Sequence, residues 1–238
     1  MQAIISITTI PTRIKSLELA VQSLVGQGLP IYVWLPRYVE RLNAGFDSIP
    51  DFFKDFSNVH VEIVENQGPA TKLLPALDIC ETVLTADDDN TYSDGWARGF
   101  LEWAEKRPDA ALGYSGRVFK ETLLYGTSKV VKIIDETATD AKPVHIITSF
   151  SGTLYHRSFF DPCIFTEWQQ WPLNDDIVFG GHLWERKIPM LVIPRRCTIK
   201  RTFAKRIDAL WGINRHGPND EGLRKCYPTW GKNDNNKE

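Results

Sequence analysis

The sequence predicts an α/β domain with a mixed, mostly parallel central sheet flanked by helices and a smaller antiparallel sheet in its second half. Three observations lead there. Strand, helix and strand follow one another within the first 35 residues, which implies a parallel pair with a right-handed crossover. An apolar run beginning at Glu81 ends abruptly in Asp87-Asp88-Asp89-Asn90, so a buried strand delivers carboxylates to one edge of the sheet, where open α/β folds bind ligands. From residue 110 onward, short β-branched segments alternate with polar and glycine-containing turns, as antiparallel strands do.

Taken in order, Ala3 to Thr9 is apolar and β-branched and reads as a central strand stopped by Ile10-Pro11. Between Arg13 and Gln27, Ile14, Leu17, Leu19, Ala20, Leu24 and Val25 recur at mainly helical spacing, and Gly26 and Gly28 end the pattern. Strands are expected at 31–35 and 59–64, with an irregular aromatic stretch between them. Asn66-Gln67-Gly68-Pro69 breaks the chain before a helix-like segment at 71–80. After the acidic strand, 93–106 reads as a helix with Ser93 or Asp94 near its cap and Trp96, Phe100 and Trp103 along one face. Further strands are expected at 110–114, 129–134, 144–148 and 188–193, and a helix at 175–187. Residues 231–238 have no apolar content and are expected to be a disordered tail.

At 238 residues with 42% hydrophobic content, the chain can fill one substantial core. Its net charge of −2 argues against nucleic-acid binding through global attraction, although Arg195, Arg196, Lys200, Arg201, Lys205 and Arg206 form a local basic run. That run reads first as a solvated face, and otherwise as a grip for a diphosphate, an anionic acceptor or a peripheral membrane contact. The four cysteines are scattered without zinc or disulfide spacing. No window approaches the roughly 20 apolar residues of a membrane span, and a cytoplasmic location is expected. Eight tryptophans exceed what a minimal core requires; Trp168, Trp171 and Trp184 are either core or platforms for sugar faces.

The acidic strand end carries the sharpest chemical signal. Three adjacent carboxylates repel unless a cation or solvent screens them. On an extended backbone Asp87 and Asp89 point one way and Asp88 another, so a hard divalent cation, Mg²⁺ or Mn²⁺, suits the outer pair. The plain alternative is a solvated acidic turn with a capping role. Lys72, just after a Gly-Pro turn, reads either as a phosphate contact or as a surface lysine. Asn174-Asp175-Asp176 opens a helix, where acidic residues are favoured by the dipole and Asn174 and Asp175 can cap it. Ser149-Phe150-Ser151-Gly152-Thr153 reads as a pocket wall or a plain bend.

Thr8-Thr9-Ile10-Pro11-Thr12-Arg13, Gly68-Pro69-Ala70-Thr71-Lys72, Ala86-Asp87-Asp88-Asp89 and Asn174-Asp175-Asp176, in this order over residues 3 to about 193, resemble the motifs of GT-A-fold glycosyltransferases. The similarity is to small nucleotide-sugar-dependent enzymes of bacteria and large viruses. It implies one GT-A-like (Rossmann-like) glycosyltransferase domain over 1–230, with a nucleotide-binding half at 1–107 and an acceptor-binding half at 108–230. Thr9, Pro11 and Arg13 would lie beside the nucleoside, and Asp87, Asp88 and Asp89 would form the Asp-x-Asp motif, with Mn²⁺ or Mg²⁺ on Asp87 and Asp89. Lys72 would help with the diphosphate. Asp176 would be the base of an inverting reaction, with Asp175 as an acceptor contact in place of the usual Glu. The expected substrates are a nucleotide-sugar donor, UDP-sugar first, and a glycan or glycoconjugate hydroxyl. His216 could match the C-terminal His that some enzymes of this class use as a metal ligand, but a lone His reads first as structural and stays outside the metal set. Two rivals remain at this level: a sugar-phosphate nucleotidyltransferase, which lacks its glycine-rich loop here, and a non-catalytic carbohydrate-binding module.

Overall fold

The computed structural model describes residues 2–135, 137–203, 208–214 and 217–231. Strand β1 (Ala3–Thr8) lies at the centre of the first half, and helix α1 (Ile14–Val25) follows it after a 3-10 turn at Pro11–Arg13. Next come β2 (Ile31–Pro36), β3 (Val59–Val64), the four-residue α2 (Leu74–Leu77), β4 (Thr82–Asp87), β5 (Asn90–Tyr92) and α3 (Trp96–Lys106). The second half holds β6 (Ala111–Gly113), β7 (Gly116–Val118), β8 (Lys129–Val131), β9 (Lys142–Pro143), β10 (Ile146–Ile147) and β11 (Thr153–His156). It closes with α4 (Ile164–Glu167), α5 (Asp175–Glu185), β12 (Met190–Val192), β13 (Ile199–Arg201), α6 (Leu210–Asn214) and α7 (Pro218–Cys226).

Eight strands form the central sheet in the order β3-β2-β1-β4-β11-β6-β12-β9. β1, β2, β3 and β4 run parallel, as do β6 and β12, whereas β11 is antiparallel to both β4 and β6 and so joins the two parallel groups. Alternation along β1 divides the core: Ile4 packs with Leu73, Leu74, Val83, Phe179 and Leu183 on one face, while Ile5 and Ile7 pack with Leu17, Leu24, Trp96 and Phe100 on the other. Fully buried Leu17, Val21 and Leu24 are the reason α1 forms where it does, each contributing about 1.5–3 kcal/mol by leaving water. β7, β8 and β10 form a separate antiparallel sheet, and β5 pairs with β13.

Several elements differ from the sequence expectation. The segment expected as a helix at 71–80 is a 3-10 turn, Gly68–Lys72, followed by α2. The strand expected at 129–134 stops at Val131, and that at 144–148 shrinks to Ile146–Ile147, because the small sheet pairs over only two or three residues. Neither Ser93 nor Asp94 caps α3; its cap is Gly95 at φ +80, and the Ser93 hydroxyl instead accepts from the Thr198 N–H at 2.9 Å. β11 was hidden by the bend before it. Gly152 sits at φ +102, and a Cβ there would approach the Trp96 indole to 2.6 Å, so the turn that launches β11 needs glycine. α7 lies beyond the part of the sequence that patterning organised. It packs on α5 through glycine rather than apolar bulk: a Cβ at Gly181 would fall 2.2 Å from the Cys226 carbonyl oxygen.

Candidate active site

The site begins with register. Thr8 of β1 lies opposite Asp87 of β4, so the Thr9–Arg13 loop and the acidic triplet leave the sheet at the same edge. The alternation expected of an extended strand stops at Asp87: Asp88 and Asp89 form the turn between β4 and β5, and that turn buries Asp88. Its carboxylate accepts the Thr9 hydroxyl at 2.6 Å and the Arg13 guanidinium at 3.0 Å, and its carbonyl accepts the Ser16 hydroxyl at 2.7 Å. Burial pushes the Asp88 carboxyl up, while Arg13 and Thr9 oppose it. Asp88 therefore ties the loop after β1 to the acidic strand. Pro11 sits in the same 3-10 turn, and Thr9 and Arg13 line the cleft while Pro11 does not.

Asp87 and Asp89 face the cleft. Asp87 is fixed at its backbone, whose N–H donates to the Tyr92 hydroxyl at 2.8 Å. Burial, then the neighbouring Asp87 and Asp88, push the Asp89 carboxyl up to about 6. The donors of this pair are hard oxygens, the kind a divalent cation takes, and at Asp89 Arg13 and Arg201 offset only part of the upward push.

Lys72 lies at the centre. It is buried, and its ammonium meets Asp87 at 2.7 Å, Asp175 at 3.0 Å and the Ser149 hydroxyl at 3.1 Å. Burial alone would lower its pKa, but Asp175 and Asp87 outweigh it and hold the ammonium charged. The Lys72 carbonyl accepts the Ser6 hydroxyl, which in turn accepts the Trp34 indole N–H at 2.8 Å, so the position is braced from β1 and β2. Lys72 is thus neither a surface lysine nor a residue on a long helix; it bridges the acidic strand end to the acidic helix start.

At that helix start Asn174 is the cap, its side chain accepting the Ile177 N–H at 3.4 Å. Asp175 points to Lys72. Asp176 turns to Ser149, whose N–H and hydroxyl both donate to the same carboxylate oxygen, at 2.9 and 2.5 Å. Burial, then Asp175, push the Asp176 carboxyl up to about 7, against the pull of Lys72 and Ser149. One oxygen of Asp176 is held by two donors, and these leave the other without a donor from Ser149.

The cleft has a volume of about 1230 Å³. It exceeds the roughly 300–1,000 Å³ typical of a single small-molecule pocket and has room for two substrates. Trp168 lines it, whereas Trp171 is buried against Gly222 and Trp184 packs with His145, Tyr227 and Trp230. Of the basic run only Arg201 reaches the cleft among the described residues; Lys205, Arg206, His216 and the tail at 232–238 lie outside them. Sequence reasoning did not single out Ser149 as a partner of Asp176, nor Arg117, Tyr125 and Lys132 as cleft residues. No local pattern marks them, because long-range pairing brings them there.

Among the described residues, one trio of metal-type side chains converges, Cys163, Glu167 and His182, with ligand atoms within 4.8 Å. It lies outside the cleft lining. Both nitrogens of His182 are engaged there, Nδ1 with Glu167 at 2.6 Å and Nε2 accepting the Asp161 N–H at 3.3 Å, while Arg186 sits 3.0 Å from the Cys163 sulfur. This is a hydrogen-bonded knot between α4 and α5.

No protein-family model matches the sequence, and no curated protein matches it. Solved structures do. The crystal structure of GalNAc-T7 with UDP, GalNAc and Mn²⁺ superposes with a TM-score of 0.60 at 10% identity, covering 85% of this chain and 43% of that one. S. aureus TarS 1–349 in complex with UDP-GlcNAc gives 0.57 at 14% identity over 89% of this chain and 61% of that one. The same TarS segment with UDP gives 0.57 at 13%, over 95% and 64%. The fold is that of the GT-A glycosyltransferases. This GT-A-type chain spans roughly half to two-thirds of the length of those structures, and at such identities the likeness concerns the fold. None of its described helices is long and apolar enough to cross a membrane.

Proposed function

We propose that the protein is a metal-dependent glycosyltransferase that moves a sugar from a nucleotide diphosphate donor, a UDP-sugar first among them, to a hydroxyl of a glycan acceptor with inversion. The observation that supports this most is the convergence on Lys72 of two acidic groups, Asp87 from β4 and Asp175 from α5, with Asp176 beside them, in one cleft of a GT-A-type fold. A carbohydrate-binding module has no need of both groups in one site.

In this reading Thr9 and Arg13 flank the nucleoside, and Asp88 holds their loop in place. Asp87 and Asp89 would hold Mn²⁺ or Mg²⁺, which supplies Lewis-acid stabilisation to a departing diphosphate. Asp176 takes the proton of the acceptor hydroxyl as that oxygen attacks the anomeric carbon and the bond to the nucleotide phosphate breaks. An elevated pKa suits the role, since a base near neutrality accepts a proton more readily than an ordinary carboxylate. Ser149 fixes the orientation of Asp176, and Lys72 opposes the rise that burial imposes on the Asp175 carboxyl while limiting repulsion between the two acidic groups. Residues 1–107 would supply the donor side and 108–230 most of the acceptor side.

The experiment is donor turnover with and without Mn²⁺, scored as UDP release from UDP-sugars in the presence of an acceptor library. Metal-dependent release that Asp176→Asn abolishes supports the reading. Release of pyrophosphate from UTP and a sugar phosphate would replace it with nucleotidyl transfer.

A further inference from the structure

Apart from Arg41, which faces Asp208, the cations that line the cleft fall into two groups. Arg13 and Lys72 at the sheet edge are paired with Asp88, Asp87 and Asp175. Arg117, Lys132 and Arg201 line the same cleft, yet none forms an ion pair with a carboxylate among the described residues. Each lies over an aromatic ring instead: Arg117 at 4.3 Å from the Tyr125 centroid, and Lys132 and Arg201 at 5.1 and 5.5 Å from that of Phe150. The Arg117 Nε is buried without a hydrogen-bond partner.

Both platforms are anchored. The Tyr125 backbone N–H donates to the Asp220 carboxylate at 2.7 Å, and the Phe150 carbonyl accepts the Asn90 amide at 2.6 Å. Phe150 also follows Ser149, the residue that holds Asp176. Arg117 belongs to β7 and Lys132 follows β8, so these two come from the small antiparallel sheet, whereas Arg201 ends β13, which pairs with β5 directly after the acidic triplet.

We propose that Arg117 and Lys132, with Arg201 on the same Phe150 ring as Lys132, form an anion subsite for the acceptor, which is therefore an acidic glycan carrying carboxylate or phosphodiester groups. This rests on the glycosyltransferase reading for the word acceptor, but the subsite is tested by binding alone. A neutral hydroxyl needs no cation to hold it, and Arg117 and Lys132, with no carboxylate paired to them among the described residues, are a standing attraction for an anion, while Arg201 also acts on Asp89. Laying them on aromatic faces keeps their heads in place without neutralising them. The donor diphosphate is the other source of negative charge, and the cation held by Asp87 and Asp89 already serves it.

The full chain is titrated calorimetrically with oligogalacturonate, oligo(glycerol phosphate), neutral maltohexaose, and UDP with Mn²⁺. At least one acidic oligomer should bind about tenfold more tightly than maltohexaose, and more weakly as salt rises from roughly 50 to 300 mM. Lys132→Gln, at a half-exposed position where folding is not at stake, should weaken that binding by about fivefold or more, with UDP binding changed less than about twofold. Arg117→Gln should repeat the effect. Equal binding of neutral and acidic oligomers, or no binding of either acidic one, overturns the proposal. So does a parallel loss of UDP affinity in Lys132→Gln, which would assign the cations to the donor diphosphate.

Discussion

Replacing Asp176 by Asn separates chemistry from folding more cleanly than any other change in this cleft. The side chain keeps its shape, and its Oδ1 can still accept both the N–H and the hydroxyl of Ser149. Only the ability to take a proton is lost. General-base catalysis contributes about 10²–10⁴-fold, so transfer should fall by about that factor while UDP affinity stays put. Stability should move the other way. A carboxyl raised from 3.8 to about 7 holds a proton in the folded chain that it releases in the unfolded one. Between about pH 4 and about pH 7 the folded state therefore binds more protons, and stability falls as pH rises through that window. At about 1.36 kcal/mol per pH unit the whole effect is roughly 4 kcal/mol. Asp175 and Lys72 share it, so the gain from removing one charge is on the order of 2 kcal/mol. Donor turnover, UDP calorimetry and thermal unfolding at pH 4 and pH 8 check the three parts together. Transfer within about tenfold of the parent would remove Asp176 as the base, and a Tm at pH 8 below that of the parent would refute the electrostatic reasoning.

Three further changes probe the supports. Ser149→Ala deletes the hydroxyl donor to Asp176 but keeps the backbone N–H, so the acid limb of the kcat/KM profile should move up by about 0.5–1 pH unit, the equivalent of about 1 kcal/mol, and Ser149→Thr should restore it. Lys72→Met leaves Asp87 and Asp175 buried without their cation and should cost about 3–5 kcal/mol near pH 8, read by urea unfolding. Gly181→Ala pushes a methyl group into the Cys226 carbonyl of α7 and should lower stability by about 1–3 kcal/mol, with UDP binding unchanged.

Much of the donor side was legible in the sequence, because it is carried by contiguous patterns. Ala3–Thr8 is β-branched throughout, and the apolar run before Asp87 has a single reading as a buried strand. Strand alternation was expected to send Asp88 away from Asp87 and Asp89, but Asp88 and Asp89 form the turn between β4 and β5, and it is this turn that buries Asp88. What the sequence hid depends on distant residues or on the absence of side chains. β11 is four residues long and follows a glycine that looks like a bend. α7 packs its Cys226 backbone on Gly181 of α5 and its own Gly222 on Trp171, where patterning looks for an apolar stripe. Lys72 follows a turn that suits a phosphate contact, and only the approach of α5 shows its ammonium shared between Asp87 and Asp175. Ser149 is a small residue in a turn, and its two bonds to Asp176 span 27 positions.

The central claim is that Asp87 and Asp89 make a metal-dependent nucleotide-sugar site, and calorimetric titration of UDP, GDP, dTDP and CDP with and without Mn²⁺ tests it most directly, on the parent and on Asp89→Ala. The account predicts that UDP binds in the presence of Mn²⁺, at least about tenfold more weakly without it, and that Asp89→Ala abolishes the metal dependence. Absence of nucleotide binding under every condition, or UDP binding that neither Mn²⁺ nor Asp89→Ala alters, would contradict it.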